Sequence, residues 1–292
     1  MLQKNKVGYY EIIDKPTLAE LSSYYENKYY QEARGSYELN YSQQELDYFN
    51  ARLSRIHYLI DQHQAVEAKR SFLDVGCGGW FSLPYFANKN FEVGGLDFSS
   101  AGISKQNPDF AGCVETGNLF DLLEKKSFHS QKYDVILLQN VLEHVVDPLA
   151  LLQLVKQLLE PSGLAIITVP NDFSLTQKFL LQEGCIDREF WVCPPDHLSY
   201  FDYESLQSIL IHSGYVVHDL ISDFPIDWYL FHPGSNYIKD SSNGKPAHFS
   251  RVIIENMLHS NDISKVVSFY RSLAQLGAGR DLTVVAGIDN LP

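Results

Sequence analysis

The chain has little of what marks several protein classes. No stretch of about 18 apolar residues, the length that spans a bilayer, occurs anywhere in it. Its first residues, MLQKNKVGYYEIID, lack the apolar core of a signal peptide. A cytoplasmic protein without membrane insertion is expected. Cysteine is scarce: Cys77, Cys113, Cys185 and Cys193 show no paired close spacing, which argues against a disulfide framework and predicts free thiols. Cys193-Pro-Pro-Asp-His197 holds two zinc-type ligands, but a lone Cys and a lone His in a proline loop make a poor site, and no metal is expected. Cations are few: 23 Lys and Arg stand against 36 Asp and Glu, a formal net charge of -13. Nucleic acid and anionic membranes are bound by clustered Lys and Arg, so neither is expected as a partner. A small-molecule acceptor fits better. Internal repeats and low-complexity tracts are also missing.

What is present is an ordinary globular composition, 45% hydrophobic and 20% charged, in 292 residues, ample for an independently folding core. The most informative segment is FLDVGCGGWFSLPYFANKNFEVGGLDFSS, residues 72–100. An apolar run at 72–75 stops at Gly76-Cys77-Gly78-Gly79, where glycines permit a tight turn and close approach of the backbone to a ligand. A helix beginning near Trp80 would aim its amide-rich end at that ligand. A second apolar run, 91–96, delivers Asp97 to a strand end, where open α/β sheets bind ligands. Dinucleotide dehydrogenases and S-adenosylmethionine methyltransferases share this arrangement, and a glycine turn alone does not separate them.

The separation comes from YDVILLQNVLEHVVDP, residues 133–148, which reads as a buried strand, a polar turn and a new helix. Together LDVGCGG, GLDFS, this segment and the strand at 163–170 resemble a class I S-adenosylmethionine-dependent methyltransferase. The branch is the one that includes ubiquinone-type O-methyltransferases and many sugar and natural-product methyltransferases. The resemblance covers roughly residues 71–222 and the last strand. It departs from the family at Trp80, where a third glycine is usual; Gly79 substitutes if the turn shifts by one residue. The implied fold is α/β: a Rossmann-like seven-stranded sheet with helices on both faces, an N-terminal helical cap and a helical insertion before the last strand.

Four stretches follow. Residues 1–70 read as a helical cap rich in tyrosine (Tyr24, Tyr25, Tyr29, Tyr30, Tyr37, Tyr41), whose rings either pack the cap or line a pocket mouth. Within it Ser42 and Glu45 form a capping-box signature ahead of Leu46, Phe49, Leu53, Ile56 and Ile60 at helical spacing. Residues 71–222 form the cofactor-binding catalytic domain, with strands near 72–75, 92–96, 111–115, 133–139 and 163–169 alternating with helices, as in a parallel sheet. In it Asp147 before Pro148 starts a helix, residues 171–202 are loop-like and face the substrate, and 203–213 and 215–221 are a helix and a strand. Residues 223–280 are an insertion with two helices, and 281–292 hold the last strand, expected antiparallel to its neighbour. A dehydrogenase sheet would stay parallel.

Residue by residue, the resemblance implies that Asp74 orients the glycine turn and the methionine ammonium. Gly76, Cys77 and Gly78 present backbone to the methionine portion, with Gln139 and Asn140 facing it. Asp97 accepts both ribose hydroxyls, since two carboxylate oxygens match a vicinal diol. Phe98 lies along the adenine, Asn118 reaches its amine, and Leu119 offers a backbone amide to the ring. Methyl transfer then needs chiefly an acceptor held in line and kept dry. His144, one turn beyond the fourth strand, and His197, in the proline loop, are the candidate bases; the alternatives are that His144 hydrogen-bonds the loop and fixes cofactor geometry and that His197 is a packed histidine. Glu143 and Arg280 could bind polar substrate groups, but a solvated or ion-paired role is the expectation for each.

The expected activity is methyl transfer from S-adenosylmethionine, with S-adenosylhomocysteine as product, to a hydroxyl of a sugar or nucleotide-linked sugar. The YY-rich cap, the DHLSYF loop and the insertion resemble methyltransferases of bacterial surface-polysaccharide synthesis. A noncatalytic homologue and a nicotinamide-dependent oxidoreductase are the alternative readings. The aromatic cap and the insertion both offer surfaces for a homo-oligomer.

Overall fold

The computed structural model describes residues 1–17, 20–21, 24, 41–65, 69–78, 81–99 and 101–288. Gly79, Trp80, Tyr25, Tyr29, Tyr30 and Tyr37 lie outside the described residues. In chain order the regular elements are β1 (Leu2–Lys4), β2 (Tyr10–Ile12), α1 (Gln43–His63), β3 (Arg70–Val75), α2 (Ser82–Ala87), β4 (Phe91–Asp97), α3 (Ala101–Gln106), β5 (Val114–Thr116) and α4 (Leu119–Phe128). They continue with β6 (Tyr133–Gln139), α5 (Pro148–Leu158), β7 (Leu159–Pro170), α6 (Leu175–Gln182), β8 (Ser199–Tyr200), α7 (Tyr203–His212), β9 (Tyr215–Ser222), α8 (Gly244–His259), α9 (Ile263–Gln275) and β10 (Asp281–Ile288).

Seven strands make one sheet in the order β5-β4-β3-β6-β7-β10-β9. The pairs from β5 to β7 are parallel, while β10 runs antiparallel to both β7 and β9. That reversal is the one expected of the last two strands, and it departs from the parallel sheet of the oxidoreductase alternative. The central strands are predominantly apolar in their middles because both faces are covered. Alternate residues of β6 serve opposite cores, Ile136 and Leu138 on one side, Val135 and Leu137 on the other. On the first face they meet Leu123 of α4, Leu151 of α5 and Leu206 of α7; on the second they meet Ile56 of α1, Phe86 of α2 and Val267 of α9.

Local chemistry sets the ends of the helices. Ser42 and Glu45 form the anticipated capping box at α1. Asp147 accepts from the Ala150 amide at 3.0 Å, with Pro148 in the first turn of α5. No helix among the described residues is long and apolar enough to cross a membrane.

Three expectations need correction. The first 70 residues are not helical throughout: β1, β2 and β8 form a small antiparallel sheet of their own, tying the N-terminus to the loop that carries His197. Strands of two or three residues carry no readable periodicity. Residues 171–202 are not all loop, since α6 lies there behind its own capping box, Ser174 with Gln177. The strand expected at 111–115 is short, Val114–Thr116, because Pro108 starts a 3-10 turn that runs through Cys113.

Candidate active site

The parallel strands end at one cavity of about 770 Å³, and every residue proposed from the sequence for cofactor or catalysis lines it. β3 delivers Asp74, β4 Asp97, and β6 Gln139 and Asn140, at the carboxyl edge of the sheet where its connections open. Gly76 and Gly78 take φ of +77° and +56°, a region that disfavours side chains. A Cβ on Gly76 would stand 2.5 Å from Cγ2 of Val141, so the turn and the loop after β6 pack too closely for one. The Gly76 and Cys77 amides both donate to the Leu96 carbonyl, at 2.7 and 3.1 Å. Cys77 itself is buried, so what the turn offers the cavity is chiefly backbone.

Asp97 fastens the turn to the neighbouring strand. One of its oxygens accepts from the Gly78 amide at 2.7 Å and the other from the Ser99 amide at 3.0 Å, which leaves lone pairs on each for further donors. Burial raises its carboxyl above the usual range against those bonds. Asp74 is more enclosed: one oxygen accepts from the Ser82 hydroxyl, while the other has no hydrogen-bond partner among the described residues. Burial pushes its carboxyl up to about 7, against the Ser82 bond.

Asn118 lines the cavity, but its Oδ1 caps α4, accepting from the Phe120 and Asp121 amides at 2.9 and 3.4 Å. The oxygen expected to receive an adenine amine therefore already serves two donors, which leaves the side-chain NH2 as the group able to donate to a ligand. The cap takes neither carbonyl nor amide of Leu119, which opens the helix beside it. Phe98 is 39% exposed at the rim. Asn140 holds φ of +56°, a conformation asparagine tolerates, and donates its amide to the Thr168 carbonyl at 2.9 Å.

The turn after β6 and the proline loop bring the two histidines together. Their ring centroids are 4.8 Å apart and nearly perpendicular, at 87°. His144 Nδ1 lies 2.6 Å from the Asp196 carbonyl, which can only accept, so the proton is on Nδ1 and the Nε2 lone pair faces Glu143 Oε1 at 3.7 Å. Burial lowers the His144 value, with the nearby Asp196 opposing. His197 is pushed down to about 3 by burial, then by the charges of His144 and Arg280, and its Nδ1 has no partner among the described residues.

Glu143 overturns an expectation. It is fully buried, its backbone carbonyl accepts from the Leu198 and Ser199 amides at 2.8 and 3.1 Å, and neither carboxylate oxygen has a hydrogen-bond partner among the described residues. Burial holds its carboxyl well above the usual range. Arg280 does pair, with Asp172 at 3.3 Å. One ligand atom each from Glu143, His144 and His197 lie within 4.8 Å of one another, as do those of Cys193, Asp196 and His197.

Several lining residues escaped the sequence reading: Glu45, Tyr48 and Arg52 of α1, and Lys245, His248 and Arg251 of α8. Polar positions on amphipathic helices read as solvated faces, and nothing local signals that these two helices close over a cavity. Of the cap tyrosines, Tyr41 both packs and lines: its ring stands edge-on to Phe49 and Phe81, at 5.0 and 5.7 Å.

Comparison with known proteins is consistent with this geometry. A family described as a methyltransferase domain matches residues 45–220, more than half of the chain. The ubiquinone biosynthesis O-methyltransferase of Vibrio cholerae serotype O1 is 26% identical over 168 residues, 52% of this chain and 67% of that protein. The enzyme of the same name from Haemophilus ducreyi is 28% identical over 200 residues, 63% and 83% of the two chains. Among solved structures, a SAM-dependent methyltransferase from Archaeoglobus fulgidus superposes with a TM-score of 0.50 at 18% identity, covering 84% of this chain and 94% of that one, a likeness of fold.

Proposed function

The chain belongs to the methyltransferase-domain family of class I S-adenosylmethionine-dependent enzymes, and from that premise we propose that it methylates a hydroxyl of a sugar or nucleotide-linked sugar. We place the reaction in the cytoplasm, among those that build surface polysaccharide. In this reading residues 71–222 with 281–292 hold the cofactor, and the cap of 1–70 and the insertion of 223–280 frame the acceptor.

The observation that carries it is the convergence on one cavity of the glycine turn, two strand-end carboxylates and a base with a defined tautomer. The residues fit the cofactor. Asp74 keeps one buried oxygen without a partner among the described residues, suited to an ammonium, and the turn excludes a Cβ where backbone must approach. S-adenosylmethionine supplies an already activated methyl group. Asp97, anchored by two amides, takes the ribose hydroxyls on its remaining lone pairs. The Gly76–Gly78 backbone, Gln139 and Asn140 address the methionine portion, and Phe98, Leu119 and the Asn118 NH2 address the adenine. His144, proton on Nδ1, accepts the hydroxyl proton at Nε2, and Glu143 at 3.7 Å then faces an imidazolium. His197 stacks edge-on against that ring and excludes water from it.

Calorimetric titration with S-adenosylmethionine, S-adenosylhomocysteine and NADH tests the first step. Micromolar binding of both adenosyl ligands with NADH silent is expected. Absence of adenosyl binding overturns the reading, and normal binding without turnover on any sugar acceptor reassigns the chain as a noncatalytic homologue.

A further inference from the structure

Cys193-Pro-Pro-Asp-His197 reads in sequence as two metal-type donors, too few for a site, and the fold adds a third. The Cys193 carbonyl accepts from the Asp196 and His197 amides at 3.0 and 3.2 Å, a turn that brings the ends of this loop together. Pro194 and Pro195 fix φ within it. One ligand atom each from the Cys193 thiol, the Asp196 carboxylate and the His197 imidazole thereby lie within 4.8 Å of one another. The loop is anchored beyond the turn: the Tyr200 hydroxyl donates to the His197 carbonyl at 2.8 Å, and the Leu198 and Ser199 amides donate to that of Glu143. Asp196 and His197 line the cavity and Cys193 does not, so an ion among the three has its open side toward the cavity.

Each donor is in a state that suits a cation. His197 Nδ1 is buried with no hydrogen-bond partner among the described residues. Burial pushes that imidazole down to about 3, so it is neutral at any working pH and ligates without first losing a proton. Cys193 Sγ makes a long contact, 3.5 Å, to the Trp191 carbonyl, and the His197 amide favours its thiolate. Burial, with the charges of Asp196 and Asp172, pushes the thiol up to about 11, but an ion reverses that balance, because a coordinating thiol is deprotonated outright. Asp196 serves His144 Nδ1 through its backbone carbonyl, whereas its carboxylate stands 3.9 Å from that nitrogen, beyond hydrogen bonding. Arg280 acts on both Cys193 and His197, and Asp172 meets its charge at 3.3 Å. One thiolate and one carboxylate cancel a divalent charge, so the filled site buries no net charge.

We propose that Cys193, Asp196 and His197 bind a divalent transition-metal ion of the zinc class. Thiolate, imidazole and carboxylate are the donors zinc takes, and three protein ligands leave a fourth position for a further oxygen. That position faces the cavity beside His144, whose ring centroid is 4.8 Å from that of His197, so an acceptor oxygen can complete the coordination. Glu143, His144 and His197 form a second set of donors around the same imidazole. That set holds no sulfur, and it would consume the His144 Nε2 lone pair on which the base role rests. The two sets therefore differ in spectrum, and the site of Cys193 depends on neither the cofactor nor the identity of the methyl acceptor.

The test uses the full chain, stripped with a chelator, kept reduced by a phosphine, and titrated with Co2+ and then Zn2+. Saturable cobalt binding is expected, with a near-ultraviolet sulfur-to-cobalt charge-transfer band that zinc abolishes by displacement. Affinity should rise roughly tenfold per pH unit around neutrality, since binding releases the thiol proton. Cys193→Ser should remove the band, and Cys193→Ser and Asp196→Asn should each weaken zinc binding at least about tenfold. Glu143→Gln should keep the band. Circular dichroism reports that the variants fold, and Asp196→Asn, which keeps the carbonyl that His144 uses, carries the test if Cys193→Ser does not. Silence of both ions in the parent chain overturns the site. So does binding without the band, or a band that survives Cys193→Ser. Binding lost in Glu143→Gln and indifferent to Cys193→Ser places the ion on the second set and overturns the proposal as well.

Discussion

His144 and His197 meet edge to face, 4.8 Å between ring centroids, yet only His144 has its tautomer set by a backbone carbonyl, that of Asp196. That asymmetry is the reason His144, rather than His197, is proposed as the base. His144→Gln should retain cofactor affinity and lose about 100-fold or more in turnover, while His197→Gln loses less. Burial lowers both imidazoles from the ordinary value of about 6.5, so the basic form persists into acid. The acid limb of the kcat profile should then fall below that value. A limb at or above it, or full activity in His144→Gln, removes His144 from the mechanism.

Asp97→Ala should weaken S-adenosylmethionine binding by about 1.5–3 kcal/mol, the range for hydrogen bonds to a charged group. The same change releases the Gly78 and Ser99 amides, so part of the loss comes from a loosened turn. Calorimetric affinities unchanged from the parent protein would sink the ribose role.

Asp74 ties binding to pH. Its folded value of about 7 exceeds the ordinary carboxylate value, so between roughly 4 and 7 the folded chain keeps a proton that the unfolded chain has released. Stability of the cofactor-free protein therefore declines as pH rises through that window, with Asp172 and Asp223, also near 7, acting in the same direction. Asp74→Asn should flatten part of the slope in urea melts at pH 5 and 7. A cofactor ammonium beside the carboxylate favours ionisation, so binding near pH 6 should release up to about one proton. Calorimetry in buffers of different ionisation enthalpy reads that release, and its survival in Asp74→Asn would exclude the contact.

The strand-turn-helix core was legible because its signals are local. The short runs at 72–75 and 133–138, bounded by turn signals, read as strands and are buried on both faces, and Asp147-Pro148 supplies a local helix start. Contacts distant in sequence left no such trace. Glu143 looked like a solvated acid because LEHVV does not disclose that residues 196–199 fold over it. Arg52 and Arg251 each read as one more charge on a helix, and only packing of α1 on α8, where Asn256 donates to the Gln44 carbonyl and Arg55 pairs with Glu255, puts both against Tyr48. The missed α6 differs: the Ser174–Gln177 capping box was in the sequence, masked by a loop-like neighbourhood.

Gly76 joins fold to function most directly, since two separate penalties oppose a side chain there. A φ of +77° costs an L-residue about 1–2 kcal/mol. An alanine Cβ would also stand 2.5 Å from Cγ2 of Val141, on the loop that leads to His144. Gly76→Ala should therefore lose roughly 2 kcal/mol or more of stability and weaken S-adenosylhomocysteine binding together with it. The two penalties separate in a double-mutant cycle, because Val141→Ala removes the clash and leaves the backbone strain. Partial recovery of the urea midpoint and of affinity in the double variant is expected. If Gly76→Ala costs as much in the Val141→Ala background as in the parent chain, contact between the turn and the β6 loop is not what requires glycine.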